Sequence, residues 1–193
     1  MACFDRHMPA LQLDTWPPEP ILSERLVVRA PRAEDRDGFI SLLMSSEARR
    51  FLGGAITPQD AEAATSGRHG QTPGSFVVAA LASGAFLGTV GLDRRDPDRP
   101  GHLTPEGLEL EVSYVVDPNH WGQGYATEAV GAVLGWASAV LPDQYVVACT
   151  QVANSASANL LQRLDFDRVG PSFVEFDAEQ SLWSRSLTSQ VNP

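Results

Sequence analysis

The segment Leu108-Glu109-Leu110-Glu111-Val112-Ser113-Tyr114-Val115-Val116 alternates side-chain character and stops at Asp117-Pro118. Such alternation predicts a half-buried strand that carries Glu109 and Glu111 on one face. Asn119-His120-Trp121-Gly122-Gln123-Gly124 follows, and then Tyr125-Ala126 opens a segment with apolar residues at Ala126, Ala129, Val130, Val133, Leu134, Ala137 and Val140. That spacing is helical. A glycine loop between a strand and a helix exposes unpaired N–H groups where the backbone can approach a ligand closely, a geometry suited to phosphate or pyrophosphate. The loop could equally be no more than a tight turn. It lacks the third glycine of a dinucleotide fingerprint, since Thr127 stands there, and the Gly-Lys-Ser/Thr of a Walker loop.

Upstream, Phe76 to Leu81 and Phe86 to Leu92 read as a hairpin around Ala82-Ser83-Gly84-Ala85, and Asp93 to Gly107 as a long exposed loop. Before them come a strand at Leu26-Val27-Val28, a helix from Glu34 to about Ser45, and a second helix from Pro58 to Ser66 capped by Thr57. Downstream, Tyr145 to Thr150 predicts a strand and Ser155 to Leu164 a helix. Phe166 to Val169, Phe173 to Phe176 and Ser181 to Leu187 follow as strands. Residues 1–20, with Pro9, Pro17, Pro18 and Pro20, read as an N-terminal arm, and 21–193 as a single domain.

The 193 residues carry 24 acidic against 14 basic side chains, a net charge of −10. That field disfavours nucleic acid and anionic membranes as partners. No run is long and apolar enough for a membrane span, and residues 1–20 lack the apolar core of a signal peptide, so the expected location is cytoplasmic. Cys3 and Cys149 make no disulfide framework, and the four histidines share no metal-ligand spacing, so no metal is expected.

The motifs together carry a resemblance. Glu111 to Tyr114, Asp117 to Ala129, and Asn154-Ser155-Ala156-Ser157 followed by Leu160 and Leu164-Asp165-Phe166 resemble the acyl-CoA-binding core of the GNAT superfamily of N-acetyltransferases. They are most similar to the branch that acetylates ribosomal-protein N-termini, and Leu22 to Arg29 is similar to that branch's first strand. The resemblance implies an α+β fold: a mainly antiparallel seven-stranded sheet with helices on both faces and a cleft where the fourth and fifth strands splay. It implies acetyl-CoA as co-substrate. The backbone of Tyr114 and Val116 would pair with pantetheine, the amides of Trp121, Gly122, Gln123, Gly124, Tyr125 and Ala126 would take the pyrophosphate, and Asn154 would reach the cofactor through its amide. Asn154 could instead only cap its helix.

The resemblance gives Glu111 the role of general base and Ser157 that of meeting the leaving thiolate. By alternation Glu109 is a second candidate base, and each of these residues has a purely structural alternative. Three positions depart from the superfamily pattern. Trp121 stands where Arg or Gln usually opens the loop, Leu161 where many members carry an acid tyrosine, and Asp165 where a glycine usually precedes Phe166. The function implied is acetyl transfer to a primary amine, a peptide N-terminus or a small cationic amine, by direct attack in a ternary complex. A non-catalytic acyl-CoA-binding module or sensor is the alternative, with a nucleotide-binding protein behind it. The acceptor's identity is not written in these motifs, and a monomer and a homodimer fit equally.

Overall fold

The computed structural model describes residues 11–13, 15–66, 72–141 and 144–187. Eight strands form one sheet: β1 (Ile21–Leu22), β2 (Leu26–Arg29), β3 (Ser75–Ala80), β4 (Phe86–Arg94), β5 (Leu110–Val116), β6 (Gln144–Gln151), β7 (Asp167–Glu175) and β8 (Ala178–Leu187). Their order is β1-β2-β3-β4-β5-β6-β8-β7, antiparallel throughout except for the parallel pair β5–β6. The helices are α1 (Arg36–Met44), α2 (Pro58–Thr65), α3 (Tyr125–Val140) and α4 (Ser155–Arg163).

The seven strands that the resemblance implies become eight because Ile21 and Leu22 pair with Val28 and Val27. The two strands expected between Phe166 and Phe176 are one, β7, whose register shifts between Val169 and Phe173 around Gly170-Pro171. The strand expected from Leu108 begins at Leu110, because Leu108 takes φ +75° and breaks the extended run. A leucine in the left-handed region costs about 1–2 kcal/mol, so the surroundings hold it there.

Alternation along the strands sorts the side chains between two layers. Val28, Phe76, Val78, Val90, Leu92, Leu110, Val112, Val146, Ala148 and Trp183 pack with Ala129, Val130, Val133, Leu134 and Ala137 of α3. The helical period of α3 buries those five residues together. On the opposite face α1 packs against β4, with Phe39 5.6 Å from Phe86 between ring centroids. Thr57 caps α2 by accepting from the Asp60 N–H at 3.2 Å, and Pro58 occupies its first turn. The end of the stretch read as an arm joins the core: Leu11 is buried and Trp16 meets Phe76 edge-on at 5.2 Å.

Candidate active site

β5 and β6 pair only at Leu110↔Val146 and Glu111↔Val147, whereas β4 and β5 stay paired over seven positions up to Gly88↔Val116. The two parallel strands therefore part just beyond Glu111 and leave one edge of β5 open. The Asp117 N–H donates to the Leu87 carbonyl at 2.9 Å, and the Arg95 N–H to the Glu109 carbonyl at 2.8 Å. Hydrogen-bonded positions alternate in an antiparallel pair, so the odd-numbered residues of β5 address β4. Val112, Tyr114 and Val116 turn their N–H and C=O groups into the gap.

The gap ends at the glycine loop. Gly122 and Gly124 have φ +74° and +80°, conformations that glycine adopts without strain, and Gly124 is the N-cap of α3. Around Gly122 there is open space, with nothing within 4 Å of where a Cβ would stand. Trp121 is half-exposed, and its indole Nε1 donates to the Val116 carbonyl at 2.7 Å. Beside the loop, Arg25 donates to the Gln123 carbonyl at 2.9 Å, pairs with Glu128 at 2.6 Å and lies over the Tyr125 ring at 4.7 Å. An open strand edge that leads to free helix-terminal N–H groups fits an extended ligand ending in a diphosphate.

Across the gap, α4 starts with Asn154 as N-cap, its Oδ1 accepting from the Ser157 N–H at 3.1 Å. The cap leaves the Asn154 amide nitrogen without a protein partner among the described residues, and the Ser157 hydroxyl likewise. The Tyr114 hydroxyl reaches toward the Ser157 carbonyl at 3.5 Å, and burial pushes its pKa up to about 12. Leu161 is fully buried in the core, so the position at which many members carry a tyrosine contributes packing here. Asp165, which stands where the superfamily pattern usually has a glycine, holds φ +59°.

The two glutamates of the alternating run meet different partners. Glu109 is buried and accepts from the N–H groups of Leu103 and Thr104 and from His102 Nδ1, at 2.6, 3.0 and 2.9 Å. Burial pushes its carboxyl up, but His102 and the main-chain donors outweigh that and hold it below the ordinary range. Glu111 binds Arg95 at 2.8 Å through one oxygen and Arg99 at 2.9 Å through the other. Arg99 also pairs with Glu175 at 2.7 Å, and Arg95 donates to the Pro100 carbonyl. These contacts dock the segment after β4 against β5 and β7. The long exposed loop expected from Asp93 is thus partly strand and partly buried, with Arg95 inaccessible to solvent.

The sequence reading assigned no role to Asp93, Arg95, Arg99, Glu175 or Arg25. Asp93 continues the alternation of β4, where Val90, Leu92 and Arg94 face one way and Gly91 and Asp93 the other. That continuation was readable in the sequence. The partnership with Glu175, which lies 76 residues from Arg99, carries no local signal. Cys149 lies in β6 near this network. Burial and the charge of Glu111 raise its thiol to about 12, with Arg95 and Arg99 opposing.

A parallel pair splayed over a glycine-capped helix defines a protein built to hold an extended acyl carrier. The chain belongs to the GNAT acetyltransferase family: the Acetyltransferase (GNAT) domain matches residues 25–167. A curated relative, the uncharacterized N-acetyltransferase p20 of Bacillus licheniformis, is 26% identical over 161 residues, covering 79% of this chain and 84% of that protein. The protein is accordingly an N-acetyltransferase. Among solved structures, the spermidine N-acetyltransferase of Vibrio cholerae, in complex with CoA and spermine, has a TM-score of 0.69 at 16% identity, covering 88% of this chain and 100% of that one. The Salmonella typhimurium acetyltransferase that modifies the N-terminal serine of ribosomal protein L7/L12 has a TM-score of 0.65 at 17% identity, over 87% and 99%. At these identities the likeness is one of fold. No helix among the described residues is long and apolar enough to cross a membrane.

Proposed function

We propose that this acetyltransferase moves the acetyl group of acetyl-CoA to a primary amine that is cationic in solution, by direct attack while both substrates are bound. The observation that carries the proposal is the splay of β5 from β6, with the main-chain groups of Val112, Tyr114 and Val116 facing the gap. Tyr114 and Val116 pair with the pantetheine arm. The Trp121, Gly122, Gln123, Gly124, Tyr125 and Ala126 amides take the pyrophosphate, and the free amide nitrogen of Asn154 reaches the cofactor. These contacts place the thioester where the strands part, beside Glu111.

Amine acetylation then needs alignment, a proton acceptor for the ammonium and a proton for the thiolate. Holding the two reactants in line is worth up to roughly 7–11 kcal/mol, and a placed proton-transfer group a further 10²- to 10⁴-fold. The Ser157 hydroxyl, at the start of α4, meets the thiolate. The ammonium proton leaves toward the carboxylates on the β4–β5 face, with Glu111 fixed there by Arg95 and Arg99. A net charge of −10 favours a cationic acceptor, a basic peptide N-terminus or a polyamine. Of the two proteins of similar fold, that of Vibrio cholerae acts on spermidine and that of Salmonella on the N-terminal serine of a protein.

The test is thiol release from acetyl-CoA with spermidine, a basic peptide with a free N-terminus, and an acidic amino acid as acceptors. Release that depends on a cationic acceptor supports the proposal. CoA binding without release for any amine would indicate a binding module in its place.

A further inference from the structure

The face of the sheet opposite α3 carries a small pocket whose floor, followed along β4 and β5, leads to the point where β5 leaves β6. Phe39, Leu43 and Arg49 stand over Thr89 and Val115 at one end of it. The next cross-strand pair is Gly91 and Ser113, followed by Asp93 and Glu111. Gly91 has no side chain and Ser113 is small and exposed, so the floor is open between the two ends. A Cβ on Gly91 would stand 2.7 Å from the Ser113 hydroxyl. Two residues along a strand span about 6.7 Å, so Asp93 and Glu111 flank this open floor directly.

Four groups near that floor could be asked to take a proton. Glu111 has each oxygen on a guanidinium. Glu109 has three donors and lies under the docked segment. Cys149 is a half-buried thiol whose pKa is pushed well up by desolvation and the charge of Glu111. Asp93 is half-buried, and its carboxylate has no hydrogen bond or ion pair among the described residues. It faces Glu111 across a hydrogen-bonded antiparallel pair, where Cα atoms stand about 5.5 Å apart.

We propose that Asp93 is the residue that takes the proton from the acceptor's ammonium, in the groove floored by Gly91 and Ser113, while Glu111 holds the docked segment and supplies the neighbouring negative charge. The assignment rests on the acetyl-transfer reading above. The ammonium gives one proton to an Asp93 oxygen, and the freed lone pair forms the C–N bond to the thioester carbonyl. The C–S bond breaks, its electron pair leaves on sulfur, and the second proton of the nitrogen goes to that sulfur by way of the Ser157 hydroxyl. Product release returns the Asp93 proton to water.

Burial, with the charge of Glu111 behind it, raises the Asp93 carboxyl above the ordinary aspartate range, which makes it a stronger base than a solvated carboxylate. The charged and titratable groups around it are Glu111 from β5, Cys149 from β6, Arg95 and Arg99 from the docked segment, and Arg49 at the far end of the groove. A base must be unprotonated, so kcat/KM falls as pH falls through the raised Asp93 pKa.

The experiment measures kcat, KM and the pH profile with spermidine and with a basic peptide for wild type, Asp93→Asn, Asp93→Glu and Glu111→Gln, alongside acetyl-CoA affinity. The expected results are a loss of about 10²-fold or more in kcat for Asp93→Asn with acetyl-CoA affinity retained, and partial recovery in Asp93→Glu. In Glu111→Gln the acid limb moves to lower pH. Full activity and an unchanged acid limb in Asp93→Asn would overturn the assignment and leave acetyl transfer standing. Wild-type protein that binds acetyl-CoA but acetylates neither amine would overturn the reading beneath it, and the assignment with it.

Discussion

The indole Nε1 of Trp121 donates to the carbonyl oxygen of Val116 at 2.7 Å, which ties the first residue of the glycine loop to the last residue of β5. The bond crosses the mouth of the gap. Trp121 fills a position where the superfamily usually has Arg or Gln, and here its side chain sets the loop's geometry.

Trp121→Phe keeps the ring and removes the donor. A net hydrogen bond is worth about 0.5–1.5 kcal/mol, so the loop loses preorganisation and KM for acetyl-CoA rises by roughly 2- to 10-fold. The kcat should stay near wild type, because the chemistry lies at the other end of the gap. Steady-state kinetics with acetyl-CoA varied would show this, and a fall in kcat at unchanged KM would contradict it.

Gly124 has φ +80°, and a β-branched side chain there is strained as well as placed in the path of a phosphate. Saturating acetyl-CoA should stabilise the wild-type fold by mass action, about 2.7 kcal/mol at a hundred times Kd. Gly124→Val should lose that thermal shift. Gly122→Ala, at φ +74° with open space around it, tests the same loop more gently and should reduce the shift without abolishing it.

Away from the gap, Asp35 and Arg29 form a buried pair at 2.7 Å, and Asp35 also accepts from the Arg32 N–H at 2.7 Å. Burial pushes the Asp35 carboxyl up, and the Arg29 and Arg32 contacts outweigh it and hold the pKa below the ordinary value. A depressed folded-state pKa means that the pair's stability is complete above about pH 4 and fades as pH falls through the lowered value. Asp35→Asn leaves Arg29 buried without its counter-charge and should cost about 3–5 kcal/mol at neutral pH. Urea unfolding at neutral pH and near pH 3 should show the gap between variant and wild type narrowing in acid.

Most of the sheet was legible because its strands alternate and its turns are punctuated. The helix after Gly124 was legible from its period, and Thr57-Pro58 from its cap. The failures are instructive. Ile21-Leu22 is too short to carry a period. Leu108 breaks the strand by a backbone conformation that no sequence rule assigns to leucine. Gly170-Pro171 looked like a break between two strands and is a bulge within one.

For the site, the glycine loop and the Asn154 cap were legible because their chemistry is local. The four-residue network of Arg95, Arg99, Glu111 and Glu175 was not, since it joins segments far apart in the chain. It matters most for Glu111, whose two oxygens meet partners that no spacing within β5 reveals.

The central claim is direct transfer between substrates held together in the gap, and Cys149 makes it testable. Desolvation and the charge of Glu111 push its thiol well above the ordinary range, which holds it in the neutral form and makes it a poor nucleophile. The decisive measurement is a rapid-quench single turnover with acetyl-labelled CoA and a basic amine. The account predicts that label passes from CoA to the amine with none on the protein at any time, in wild type and in Cys149→Ala alike. Acetylated protein that forms and decays as fast as product appears would contradict it.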